Sequence, residues 1–168
     1  MIFGGIDPGL LGGLSLMDDS GKLNMSVMMP RLKFKDKKDD IDVCGIKDFF
    51  QGCGFISIEY ASAMPINVKG NQTQGTASMF NYGRGYGQIL GWLRTWGIHH
   101  IVVHPTKWKR HFELLKCYKS KSVELAIQKT GNDFIPPGCR TPKDGLAESY
   151  LIGEYGRELY IKTNGDPK

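Results

Sequence analysis

The chain of 168 residues carries 22 Lys and Arg against 17 Asp and Glu, a formal charge of +5, with a sequence pI near 9.0. A hydrophobic content of 40% and a charged content of 23% describe one globular domain spanning 1–168, able to bury roughly 70% of its unfolded surface, and the basic excess favours a polyanionic partner. No apolar run approaches the roughly 18 residues of a membrane span and the start lacks a basic leader, so no membrane partner is expected; Cys44, Cys53, Cys117 and Cys139 form no C-x-x-C pair, which argues against a zinc site or a disulfide framework.

In chain order, Ile2 to Asp7 reads as a buried strand closed by a carboxylate, and Pro8-Gly9 turns the chain at once. Gly13 to Asp18 is its antiparallel partner, and Leu23 to Met29 a third strand by its loose alternation. The mixed-charge run from Pro30 to Asp40 reads as a solvated loop, with a nucleic-acid patch as the alternative. Ile41 to Phe50 has helical spacing of apolar residues. Gly54 to Tyr60 is a second buried strand that ends in an acid, Glu59, a residue costly to bury unpaired. Both Asp7 and Glu59 also have plain readings, as a turn residue and an ion-paired strand end.

Residues 61–75 read as a loop and about Thr76 to Trp96 as a long helix. Gly83, Gly87 and Gly91 share one face of it, which predicts close backbone approach, with helix-on-sheet packing preferred over a dimer face or a DNA contact. His99 to His104 is a strand ended by Pro105, and none of its three histidines is assigned a role. Next comes a basic helix, Pro105 to Phe112, with Lys107, Lys109 and Arg110 around Trp108. Lys116, Lys119 and Lys121 carry the charge on into a helix from Ser122 to Lys129, giving a candidate face for a nucleic-acid backbone. Residues 131–141 form a loop. The last helix is expected to start with Thr141 as N-cap and Pro142 as first residue and to end near Leu159, before a frayed basic tail from Tyr160 to Lys168. Asp144 would then be a first-turn acid with a capping explanation of its own, and Glu148 lies one turn later on the same face.

Asp7, Glu59, Asp144 and Glu148 have no His or Cys partner at ligand spacing. An all-carboxylate oxygen set suits a hard cation such as Mg²⁺ or Mn²⁺, and two such ions roughly 4 Å apart can serve phosphodiester hydrolysis. Beside a basic face, that chemistry points to a nuclease. Spacing alone does not show that the four acids meet.

Gly5-Ile6-Asp7-Pro8-Gly9, Ile56-Ser57-Ile58-Glu59, Pro105-x-x-Trp-Lys109, Lys121-Ser122 and Asp144-x-x-x-Glu148-x-x-x-Ile152-Gly153, taken together and in order over nearly the whole chain, resemble the RuvC-type Holliday junction resolvases. The resemblance implies an α/β fold with a ribonuclease-H-like mixed five-stranded sheet flanked by helices. It implies a homodimer making paired, Mg²⁺-dependent nicks in four-way or branched DNA during recombination and repair, in the cytoplasm of a bacterial cell or phage-infected host. By the same resemblance Asp7, Glu59, Asp144 and Glu148 hold the ions. Lys109 and Lys121 match the basic positions that flank the family's active site, Lys121 as a catalytic residue, while the cationic stretch itself gives Lys107, Lys109, Arg110, Lys119 and Lys121 as the expected DNA contacts.

Two departures stand out. The family's bacterial members usually space the helical acids three apart, but here that position is Gly145 and the acid is Asp144. The junction-wedging aromatic after the second acid is missing: Tyr60 to Met64 offers only those two residues, with Phe80 or Tyr82 as substitutes. The alternatives are a junction-binding relative that does not cut, against which the complete set of acids stands, and half of a sugar-kinase-like ATPase, for which a second lobe is lacking.

Overall fold

The computed structural model describes residues 1–35, 39–61 and 75–164. The elements are β1 (Phe3–Asp7), β2 (Gly13–Met17), β3 (Leu23–Met28), β4 (Arg31–Leu32), β5 (Asp40–Ile41), α1 (Val43–Phe49), β6 (Phe55–Glu59), α2 (Thr76–Thr95), β7 (His100–Val103), α3 (Pro105–His111), α4 (Lys119–Thr130) and α5 (Asp144–Asn164). Five strands form one mixed sheet in the order β3-β2-β1-β6-β7. The first two hairpins pair antiparallel, while β1–β6 and β6–β7 are parallel. This is the α/β architecture expected from the sequence.

Strand alternation sends side chains to two cores. Ile6, Ile56 and Ile58 pack with Ile46, Phe50, Ile89, Trp92 and Leu93 beneath α1 and α2. Phe3 and Phe55 face the other way, with Trp108, Leu146, Tyr150 and Leu151 under α3, α4 and α5. Each fully buried Ile or Leu contributes about 2–3 kcal/mol of apolar transfer.

Helix α5 crosses the sheet where side chains are smallest. A Cβ on Gly5 would enter the backbone of Ser149 and Gly153, and one on Gly156 would strike Ser57 Oγ. The helix is pinned along its middle. Buried Glu154 accepts a two-pronged bond from Arg157 (2.7 and 2.9 Å), which also donates to Asp19 O at 2.9 Å. The Tyr150 hydroxyl donates to Gly21 O at 3.1 Å. These contacts fix the azimuth of α5, and with it the direction of its first turns.

Several expectations need correction. The charged stretch after Pro30 includes the β4–β5 hairpin, held by Arg31–Asp39 (3.6 Å) and Arg84–Asp40 (3.1 Å) ion pairs; strands of two residues are too short to show a period. Among the described residues, nothing lies within 4 Å of a Cβ added to Gly83, Gly87 or Gly91, whereas a Cβ added to Gly85 would come within 2.7 Å of Ile41. The packed face of α2 is Gly85, Ile89, Trp92 and Leu93, and the glycine row lies on the open side. Helix α4 starts at Lys119, three residues early, and α5 starts at Asp144 rather than at Thr141–Pro142 and runs on to Asn164. Most of the expected 61–75 loop, including Met64, and the end of the tail at 165–168 lie outside the described residues. All four cysteines are free. Among the described residues no helix is long and apolar enough to cross a membrane.

Candidate active site

The parallel register pairs Ile6 with Ile58, so one residue further Asp7 stands beside Glu59, about 5 Å away between strands and on the same face. That face is the one α5 covers. Its first turn reaches this sheet edge because Gly145 rests on the β1–β2 hairpin: a Cβ there would run into Leu11 O and come within 2.7 Å of Gly12 Cα. The carboxylates of two strand ends and one helix therefore converge at the C-terminal edge of the parallel strands, where open α/β sheets collect ligands. Asp7, Asp144 and Lys119 line one cleft of about 480 Å³ there, walled by the hairpin and by Ser78, Asn81 and Tyr82 of α2.

Gly145 also accounts for the unusual acid spacing. The position that would carry an acid at a spacing of three is pressed against backbone and has no room for a side chain. Asp144, one residue earlier, is half-buried and opens on the cleft. Its place in the helix differs from the capping-box position expected. Lys143 O accepts the N–H groups of Leu146 (3.1 Å) and Ala147 (3.3 Å), so Lys143 is the cap residue and Asp144 the first helical one. There it still gains from the helix dipole.

Each acid has a distinct environment. Asp7 has its pKa pushed up to about 8, first by burial and then by the charges of Glu59 and Glu148, with Asp144 adding a smaller effect and the Gly9 N–H opposing. Its surface exposure is intermediate because the carboxyl opens on the cleft, yet protein surrounds it on nearly every other side. Glu59 is raised to about 6, by burial against the opposing charge of Lys109. It accepts from the Trp108 indole N–H at 3.4 Å. Glu148 is buried, accepts from Ser122 Oγ at 3.2 Å and has Lys109 Nζ at 4.0 Å. For Asp144 burial works upward, but the Lys119 ammonium at 2.7 Å and the helix N–H groups outweigh it and hold the carboxyl below the ordinary range. Tyr82 borders the group; burial first, then Asp7 and Glu59, drives its hydroxyl pKa upward.

Among the basic residues, Lys109 and Lys119 stand against the acids. Lys121 turns instead to Glu124, at 2.6 Å. Lys107 and Arg110 are exposed on α3. The orienting roles of Trp108 and Ser122 were hidden in the sequence, although both stand within the motif stretches. His104 likewise has a structural task, since its Nδ1 accepts the Thr106 N–H at 3.3 Å and caps α3. Of the two substitute aromatics, Phe80 is 69% exposed, while Tyr82 lies inside the cleft. Tyr60 stacks on His104 with ring centroids 5.7 Å apart.

Among the described residues no three His, Cys, Asp or Glu side chains are drawn around a common point that would enclose an ion. The donor chemistry nonetheless suits one. Four oxygen-bearing acids interact through space, and burial first, with their repulsion added, raises the Asp7 carboxyl to about 8. Two ammonium groups take up part of that charge, at Glu148 and Asp144. A hard divalent cation would relieve the same repulsion with the ligands such ions prefer.

No family model and no curated protein matches the chain. Solved structures do. RuvC of T. thermophilus in complex with Holliday junction substrate superposes with a TM-score of 0.60 at 14% identity, over 98% of this chain and 97% of that one. A second Thermus thermophilus RuvC structure gives 0.53, also at 14% identity, over 97% and 96%. The fold is RuvC-like, with the ribonuclease-H-like mixed sheet.

Proposed function

We propose that this chain is a structure-specific DNA endonuclease that resolves four-way junctions by paired, divalent-cation-dependent phosphodiester hydrolysis. One observation carries the reading: Asp7 stands at the end of the central strand of a RuvC-like sheet, enclosed by protein and in the field of Glu59, Glu148 and Asp144, so that burial first and these three charges next raise its carboxyl. A purely structural role would not gather four acids at one sheet edge, because like charges there weaken the fold unless a cation joins them.

Asp7, Glu59, Asp144 and Glu148 would hold Mg²⁺, or Mn²⁺ in its place, most simply as two ions. Bound there, the metal supplies the Lewis acidity that makes water an attacking hydroxide and steadies the leaving oxygen. The protein's own residues do the remaining work. Asp7 must give up its proton before it can act as a charged ligand. Trp108 and Ser122 orient Glu59 and Glu148 through the hydrogen bonds described above. Lys109, between Glu148 and the Trp108 ring at 5.0 Å, offers positive charge at the point where a scissile phosphate meets the acids. Lys107, Arg110 and Lys121, exposed on α3 and α4, serve the DNA backbone further out. The whole chain, 1–168, works as one nuclease unit.

Paired nicks on a two-fold junction need two related sites, so the active form is a homodimer. The open glycine row of α2, Gly83, Gly87 and Gly91, supports that helix as part of the interface.

The test is incubation of pure protein with labelled four-way junction, duplex and single strands, in Mg²⁺ or in EDTA. Symmetric nicks in the junction alone, abolished by EDTA, are expected. Binding without cleavage under every cation condition would overturn the enzyme reading in favour of a junction-binding module.

A further inference from the structure

Among the described residues that line the acidic cleft, Lys119 is the one basic side chain. As the first residue of α4 it reaches across to Asp144, Nζ to Oδ2 2.7 Å, and its ammonium also lies in the field of Glu148 and Asp7. Yet its side chain is 78% exposed. The contact therefore holds a charge in the cleft without fixing the methylene stem that delivers it, and exposed pairs of this kind are weak and easily exchanged. The neighbouring lysines differ. Lys109 is flanked by the Trp108 ring, and Lys121 is engaged with Glu124 on its own helix.

An ammonium held on Asp144 Oδ2 repels a divalent cation at the same carboxylate and takes up one of its acceptor sites. A cation binding at Asp144 therefore does so against Lys119, and binds better once the ammonium has left. The displaced ammonium then needs an anion, and a DNA phosphate brought to the cleft provides one. We infer that Lys119 fills the cation's place at Asp144 in the metal-free protein and exchanges that carboxylate for a DNA phosphate, so that DNA and divalent cation bind with positive coupling. This rests on the nuclease reading above and adds a thermodynamic link to it. DNA that draws Lys119 away frees Asp144 for the cation, and by reciprocity the cation strengthens DNA binding by the same factor. The device discourages idle metal loading and completes the site when substrate arrives.

The experiment uses the full chain and its Lys119→Met, Lys119→Arg and Lys121→Met variants, each checked by thermal melting. Mn²⁺ affinity without DNA is measured by electron paramagnetic resonance. Junction affinity is measured by fluorescence anisotropy with and without Ca²⁺. Lys119→Met is expected to bind Mn²⁺ about 1.5- to fivefold tighter than wild type without DNA, the range set by an exposed ion pair. The Ca²⁺ enhancement of its junction affinity should shrink by a similar factor. Lys119→Arg should keep the wild-type coupling, and Lys121→Met, engaged with Glu124 rather than Asp144, should weaken junction binding but leave the Mn²⁺ affinity and the Ca²⁺ enhancement factor at their wild-type values. If Lys119→Met binds Mn²⁺ no tighter, or keeps the full Ca²⁺ enhancement, the exchange is refuted while the nuclease reading stands. If wild type binds neither cation nor junction, both fall.

Discussion

Asp7→Asn tests the electrostatics of the site in the metal-free protein, apart from catalysis. A carboxyl whose pKa in the fold lies above its unfolded value keeps a proton that the unfolded chain has lost between the two values. Its contribution to stability is full below the lower value and is lost as pH climbs through the upper one. For Asp7 those values are 3.8 and about 8, so metal-free wild type should weaken steadily from about pH 4 to pH 8. At about 1.4 kcal/mol per pH unit the loss is at most roughly 6 kcal/mol. The carboxyl opens on the cleft, and water entering there screens it, so about 3 kcal/mol is the working figure. Asparagine keeps the shape and removes the titration. In EDTA the variant should therefore gain on wild type as pH rises, reaching a lead of about 6–12 °C in melting temperature near pH 8.5, at 2–4 °C per kcal/mol for a chain of this size. Below pH 4 the two should converge. Differential scanning calorimetry across this range gives the answer, and a pH-independent difference, or a variant that melts lower at pH 8.5, would refute the argument. Saturating Mg²⁺ should reverse the order, since the cation stabilises only the protein that keeps its ligand.

The other expectations are direct. Asp7→Asn should lose cleavage by orders of magnitude in single-turnover assays yet keep junction affinity, which the basic face supplies. Lys107→Ala and Lys121→Ala should each weaken junction binding and flatten its salt dependence by about one phosphate contact, read from anisotropy titrations between low and moderate salt. Gly145→Ala should cost about 1–3 kcal/mol in urea unfolding because its Cβ meets backbone that cannot yield. By contrast Gly91→Ala, on the open side of α2, should gain about 1 kcal/mol by helix propensity in the monomer, and a loss of dimer in sedimentation on that change would place the interface there.

How much of this was legible in the sequence depends on the length scale of each signal. The five sheet strands and the long α2 carry apolar patterns over several residues, and their bounds in the structure lie within about two residues of those expected. The β4 and β5 strands, of two residues each, have no period to detect. The glycine row of α2 was visible but its direction was not, because Gly83, Gly87 and Gly91 look the same on a packed or an open side; only the partner Ile41 at Gly85 decides it. At the site the acids were legible as residue types, and Lys121 stood out as a motif lysine. That Lys119 rather than Lys121 reaches Asp144 follows from where α4 begins, three residues before the start expected at Ser122.

The departure at the helical acids is where backbone packing and chemistry meet. Asp144 had two sequence explanations, a third-position capping acid or a displaced ligand. The structure alters the first, because α5 begins at Asp144 itself with Lys143 O receiving the first amides: Asp144 is a first-position acid whose carboxylate accepts its own and the Gly145 N–H, not a third-position capping-box acid. It also supplies a reason for the displacement. A Cβ on Gly145 would run into the Leu11–Gly12 backbone, and one on Gly13 would come within 2.8 Å of Gly145 O, so the hairpin that carries Asp7 and the helix that carries Glu148 pack main chain to main chain. Any side chain at 145 would push α5 off the sheet and move Glu148 away from Asp7. An acid can approach the cleft from this turn only from the residue before the contact, and there it lies near enough to Lys119 to be held at 2.7 Å. Under the proposed nuclease reading, glycine at 145 and aspartate at 144 therefore go together. Gly145→Asp should fail to restore the usual spacing, and Asp144→Asn should reduce cleavage while leaving the hairpin contact, and the fold it secures, intact.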